Sequence, residues 1–163
     1  AKKKQDKPLA IMLDVDETSL SNYPTLSILL KMFNQTGDGF PRAEMDVLNH
    51  PFDAPAIKPT LALYNFARQH NVSVFFVTGR PARDNKGTTA NLTKAGYHNW
   101  QGLQLRQPNQ MSWAAAKFKT ANAKKITEQG YDLVLTMGDQ FSELVKAYSD
   151  AQVKLPNPYY YIP

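Results

Sequence analysis

The chain has 163 residues, 42% hydrophobic and 20% charged, with a formal net charge of +5 and no cysteine. That length suits one domain burying roughly 70% of the surface its unfolded form exposes, and the composition is that of an ordinary globular protein. No apolar run approaches the roughly 20 residues of a spanning helix, and without cysteine neither a disulfide framework nor a thiolate metal site can form.

The first eight residues carry Lys2, Lys3, Lys4 and Lys7 without apolar periodicity and are predicted to be a disordered basic tail. Most of the positive charge lies there, so no nucleic-acid partner is expected. The chain opens on Ala with no signal-peptide h-region ahead of the first apolar run, which predicts a processed or trimmed N-terminus. Residues 9–163 are then one domain.

Leu9-Ala-Ile-Met-Leu13 reads as a strand covered on both faces, followed at once by Asp14-Val-Asp16-Glu-Thr18. The side-chain period of two points Asp14 and Asp16 to the same side. From Ser19 to Pro59 the chain is rich in Pro, Gly and Asn, with one apolar patch at Leu26–Phe33 suited to a helix of two or three turns. A segment this long is usually functional, and it is predicted to be a small cap-like insertion overhanging the sheet. Thr60 to Gln69 has helical spacing, with Thr60 as the expected N-cap, and Val72–Val77 reads as a strand. A helix is predicted over Asp84–Ala95, closed by Gly96, then a short strand at Leu103–Leu105. Ala114–Gln129 is a further helix ending at Gly130, Tyr131–Met137 a buried strand, and a last helix is predicted through Phe141, Leu144, Val145 and Tyr148. Strands alternating with helices imply an α/β fold with a parallel sheet.

Three predicted strand ends carry polar residues that apolar packing would not select: Asp14 with Asp16, Thr78-Gly79-Arg80, and Gly138-Asp139. In a parallel sheet these ends share one edge, where ligands gather. Phosphoryl transfer needs a nucleophile, a proton carrier and cations against the phosphoryl oxygens. Asp14 fits the nucleophile and Asp16 the general acid and base. Asp139 would complete a hard oxygen site suited to Mg2+. The Thr78 hydroxyl and a lysine ammonium would hold the remaining oxygens. Each group also has a bland reading: strand-end caps for the aspartates, an ordinary turn for Thr78-Gly79-Arg80, a solvated charge for the lysine. Asn22 and Tyr23 face either the substrate or the local packing of the insertion, as do Phe40, His50 and Phe52. Trp100 and Trp113 are read as core or interface residues. The C-terminal Pro158-Tyr-Tyr-Tyr161 run either crosses the sheet edge or seals an oligomer interface.

Asp14-Val-Asp16-Glu-Thr18, Val77-Thr78-Gly79-Arg80, Phe118-Lys119-Thr120 and Gly138-Asp139-Gln-Phe-Ser-Glu143 resemble the four ordered motifs of the haloacid dehalogenase (HAD) superfamily. The closer likeness is to its subclass IIIB acid phosphatases, supported by Asn22-Tyr23-Pro24 and by Lys154-Leu-Pro-Asn-Pro-Tyr-Tyr-Tyr161. The resemblance implies a Rossmann-like HAD fold and a Mg2+-dependent phosphomonoesterase acting through an aspartyl-phosphate on Asp14. It also implies that the metal is held by Asp14, the Asp16 backbone carbonyl and Asp139. Thr78 and Lys119 would be phosphate contacts, with Lys117 as the fallback lysine. Beside the resemblance, Gly79, Arg80, Asn22 and Tyr23 are read as substrate-side residues by their place in the chain, with Arg80 alternatively bracing the loop by an ion pair. Small phosphate monoesters such as nucleotides or aryl phosphates are the implied substrates, and a periplasmic or secreted location the implied setting. Two departures stand out: Glu143 where the branch commonly has a second aspartate, and no helical residues ahead of the first motif. The plant side of the branch makes a non-catalytic storage or binding protein the alternative.

Overall fold

β1 (Leu9–Leu13) buries its last four residues at the centre of a sheet. It pairs in parallel with β2 (Ser73–Pro81) on one side and β4 (Asp132–Gly138) on the other. β3 (Gly102–Arg106) extends the β2 side and β5 (Ala151–Lys154) the β4 side, both parallel, giving the order β3-β2-β1-β4-β5. The computed structural model describes residues 7–36 and 54–163. Most of the basic tail and the middle of the predicted insertion, with Phe40, His50 and Phe52, lie outside the described residues.

Among the described residues the connections contain α1 (Tyr23–Thr36), α2 (Lys58–Gln69), α3 (Asn85–Lys94) and α4 (Ala115–Glu128). The strand period of two sorts the core into two layers. Ile11 and Leu13 of β1 join Val74 and Phe76 of β2 under Tyr64 of α2 and Leu92 of α3. Ala10 and Met12 join Phe75 and Val77 on the opposite face, under Phe118, Ala123 and Ile126 of α4. Leu13, Phe76 and Phe118 are at most 1% exposed, and burial of each such side chain stabilises the fold by about 1.5–3 kcal/mol. Gly96 and Gly130 close α3 and α4 with φ of 101° and 94°, a left-handed conformation that a side chain would strain. No helix of the described residues is long and apolar enough to cross a membrane.

The structure corrects several expectations. The apolar patch at Leu26–Phe33 belongs to a longer helix of 14 residues. Thr60 is not the N-cap of α2: the helix starts at Lys58 with Pro59 in its first turn, where a missing N–H costs nothing. The Thr60 hydroxyl instead donates to the Thr18 carbonyl at 2.6 Å. The helix predicted through Phe141–Tyr148 is only a 3-10 turn at Phe141–Glu143, after which Leu144 is extended. A side chain takes a backbone group that a helix would use, because the Val145 amide donates to Thr136 Oγ1 at 3.2 Å. The chain then adds β5, a four-residue strand too short for its pattern to stand out.

Register places the polar strand ends together. Leu13 sits opposite both Phe76 and Met137. The residues that follow, Asp14 after β1, Val77-Thr78 toward the end of β2 and Gly138-Asp139 at the close of β4, therefore come together at one edge, beside the reversal in strand order between β1 and β4.

Candidate active site

Asp14 stays in the ladder, its amide donating to the Met137 carbonyl at 3.0 Å. The chain then turns tightly: the amides of Ser19 and Leu20 both donate to the Val15 carbonyl, at 2.9 and 2.8 Å. The Ser19 hydroxyl donates back to the Asp14 carbonyl at 2.6 Å. Glu17 at the bend has φ 52°, a conformation costing roughly 1–2 kcal/mol for a residue with a side chain. Its carboxylate holds the turn in place, accepting from the Asn22 amide and the Tyr160 hydroxyl, each at 2.7 Å. This turn delivers both Asp14 and Asp16 to a cavity of about 280 Å3 at the sheet edge.

Each aspartate has its own cation. Lys119, in the second turn of α4 and 2% exposed, directs its ammonium to Asp14 Oδ1 and the Val77 carbonyl at 2.5 Å each and to Glu143 Oε1 at 3.0 Å. Three donors meet three acceptors, and the two carboxylates hold the lysine pKa above its usual range against the opposing effect of burial. Asp16 is gripped by Arg80, whose Nη2 lies 2.7 Å from Oδ1 and whose Nε lies 3.1 Å from Oδ2. Asn22 Nδ2 and Thr78 Oγ1 also donate to it, at 2.8 and 3.3 Å. Burial pushes the Asp16 pKa up, but Arg80 outweighs it and the carboxyl is held below its ordinary value. Asp14 goes the other way: burial and the nearby Glu143 charge raise its pKa well above normal despite Lys119.

Asp139 leaves β4 beside Asp14. Its Oδ2 accepts from Gln140 Nε2 and Asn157 Nδ2 at 2.6 Å each, and its Oδ1 from Thr18 Oγ1 at 3.3 Å. Burial and Glu143 raise its pKa. Oxygens of Asp14, Asp139 and Glu143 all lie within 4.8 Å of one another. Three buried carboxylates thus face one ammonium, an excess of negative charge that a divalent cation would balance. Asp14 Oδ2 accepts no hydrogen bond among the described residues, which leaves a buried hard oxygen free for such an ion. Glu143 is more committed, since its second oxygen accepts from the Gln140 amide at 3.1 Å. The donor set fits a hard divalent metal.

The family model of the HAD superfamily, subfamily IIIB (acid phosphatase), matches residues 1–163. The chain belongs to this family. It is 36% identical over 154 residues to the stem 28 kDa glycoprotein of Glycine max, an alignment covering 93% of this chain and 59% of that protein. It is also 36% identical over 155 residues to acid phosphatase 1 of Solanum lycopersicum, with 93% and 58% covered. Vegetative storage protein 1 of Arabidopsis thaliana is 28% identical over 160 residues, with 98% and 58% covered. The chain therefore spans less than two thirds of the length of these relatives. The class C acid phosphatase of Bacillus anthracis shares the fold, with a TM-score of 0.74 at 23% identity over 98% of this chain and 70% of that one.

In this HAD-family chain the cavity brings together Asp14, Asp16, Asn22, Gly79, Arg80, Lys119 and Asp139. Thr78 is fully buried just behind it and bonded to Asp16. Tyr23 is not on the cavity wall; it is 52% exposed and packs against Tyr159 at 5.6 Å. Lys117, the fallback lysine, lies over the Trp113 ring at 4.3 Å, away from Asp14. The C-terminal tail crosses the sheet edge, with the Tyr160 carbonyl accepting from Gln140 Nε2 and the Ile162 amide donating to Gln140 Oε1. Sequence reasoning missed Gln140 and Tyr160 as walls of the site and Asn157 as a donor to Asp139, and it missed Arg106 altogether. Arg106 had one available signal: an arginine closing a strand at the same edge as the motifs.

Proposed function

We propose that the chain carries a divalent-metal-dependent phosphomonoesterase, with Mg2+ as the metal and Asp14 as the nucleophile. The observation that carries this reading is Asp14 itself: a buried carboxylate lining the cavity, with one oxygen on Lys119 and a carboxylate oxygen within 4.8 Å of oxygens of Asp139 and Glu143. The metal would be held by Asp14, Asp139 and the Asp16 backbone carbonyl, and would supply positive charge against the phosphoryl oxygens. Lys119, Thr78, Gly79 and Arg80 would receive the remaining oxygens, and Asn22 would fix the position of Asp16. Tyr23 is assigned to the outer rim, where its exposed ring meets Tyr159.

In the first half-reaction an Asp14 oxygen bonds to phosphorus, the ester P–O bond breaks and the leaving oxygen takes a proton. In the second, water attacks phosphorus, the Asp14–phosphorus link breaks, and phosphate departs. Asp16 moves the proton in both halves. The resting geometry suits the second half, because Arg80 keeps Asp16 ionised and ready to deprotonate water. Serving the first half requires its carboxyl to leave Arg80 and carry a proton.

Two of the relatives named above are a glycoprotein and a storage protein, so the test has to separate catalysis from storage. Purified protein should release phosphate from an aryl phosphate with Mg2+ present, and a chelator should stop it. Asp14→Asn should lower kcat by about 10^3-fold or more while leaving the circular dichroism spectrum unchanged. Turnover that survives this substitution would remove Asp14 as nucleophile; no turnover by the unaltered chain would favour storage.

A further inference from the structure

Arg106 closes β3, is 9% exposed, and lines the same cavity. Its Nη1 donates to the carbonyls of Gln110 and Trp113 at 3.2 and 2.6 Å, and its guanidinium lies 5.0 Å from the centre of the Phe118 ring. These contacts position the side chain but leave its charge uncompensated. The other two cavity cations have acidic partners: Arg80 has Asp16, and Lys119 has Asp14 and Glu143. Arg106 has none among the described residues, and burial draws its pKa down with no opposing charge. A buried guanidinium without an anion is costly. The cavity as a whole carries excess negative charge around Asp14, but at the Arg106 end the guanidinium has no carboxylate among the described residues and would pair with an anion brought by a ligand.

The place of Arg106 in the sheet says which part of a ligand would bring that anion. β2 separates β3 from β1, and neighbouring strands lie about 4.8 Å apart. Arg106 Nε is 3.8 Å from where a Cβ on Gly79 would stand. The guanidinium therefore reaches the end of β2 and stops one strand short of Asp14. A phosphoryl group under attack has to lie at Asp14. A substituent of the leaving group lying over Gly79 meets Arg106 instead, with Met111 and Ala115 beside it.

We propose that Arg106 is a specificity-determining residue that receives a second anion, a carboxylate or a further phosphate, carried by the leaving group of a phosphate monoester. The inference rests on the phosphatase reading, but its main test is binding and does not need turnover. Asp14→Asn removes the nucleophile, so both members of a matched pair can be titrated unreacted: phenyl phosphate and 3-carboxyphenyl phosphate, which differ by one carboxylate. Calorimetry with Mg2+ present should show the carboxylated ester binding about tenfold more tightly or better, the effect of one added charge-assisted hydrogen bond. Arg106→Gln in the same background should erase that preference, and Arg106→Lys, which keeps the charge, should retain part of it. Equal affinities before the second substitution would overturn the proposal. So would equal losses for both esters, which is what an arginine serving only to cap Gln110 and Trp113 would produce. The unaltered protein gives a readout free of variants: a kcat/KM ratio near one for the pair would also overturn it. Failure of the phosphatase reading shows itself differently, as no phosphate released from either ester.

Discussion

Lys119 holds the buried charge of the site in balance. One ammonium serves Asp14, Glu143 and the Val77 carbonyl, so removing it strands two buried carboxylates at once. Lys119→Met should cost about 3–5 kcal/mol at neutral pH in urea titrations. The sign of its pH dependence follows from Asp14. Burial already raises that pKa, and losing Lys119 removes the main effect opposing it. A group whose folded-state pKa is raised favours the fold below its unfolded value and loses that advantage as pH rises through the folded value. The stability gap between Lys119→Met and the unaltered protein should therefore narrow as pH falls from 7 toward 5. A gap of constant size would show that Asp14 and Lys119 are not coupled as the geometry requires. Asp16 obeys the opposite rule because Arg80 dominates it, so two aspartates two residues apart hold their protons differently.

At the scale of elements, the β4 terminus does most to shape the site. Gly138 ends the strand and faces the returning 3-10 turn so closely that a Cβ there would stand 2.7 Å from Glu143 Cβ. Gly138→Ala should push Glu143 off Lys119 and off the Gln140 amide. The expected cost is about 1–3 kcal/mol from overpacking, measured by urea unfolding, together with lower phosphatase activity. Unaltered stability would mean that the turn can yield without effort. The predicted last helix does not form because the chain turns extended at Leu144 and the Val145 amide, which a helix would use, donates to Thr136 Oγ1 instead. Local apolar spacing over Phe141–Tyr148 carried no trace of Thr136, which lies in the preceding strand.

Across the whole molecule, the site joins both ends of the described chain. Tyr160 reaches Glu17 across 143 residues of sequence, and Asn157 reaches Asp139 from beyond β5. Binding of a divalent ion to this assembly should stabilise the entire fold, since the unfolded chain has no such site. At a hundredfold excess of Mg2+ over Kd, thermal denaturation should rise by about 5–10 °C, and a chelator should reverse it. Asn157→Ala, which frees Asp139 from the tail, should give a smaller rise at the same Mg2+ concentration. A Tm indifferent to Mg2+ would count against the metal site irrespective of any activity measurement.

Alternation of apolar runs with helical segments was enough to assign the α/β class, because core burial imposes its period on the residues themselves. Lys119 stood out only through the resemblance of its Phe118-Lys119-Thr120 step to a family motif, whereas the aspartates at 14, 16 and 139 and the Thr78-Gly79-Arg80 turn stood out as candidates for a related reason. Each sits at or near the end of a patterned element, where a polar residue has no packing motive. Which cation serves which aspartate was not legible, nor was the exposed stance of Tyr23, the closure by Asn157 and Tyr160, or the solitary charge of Arg106. Those facts depend on strand order, register and the path of the returning tail. A side chain's partner across a sheet is decided by residues far away in the chain, and no local pattern records them.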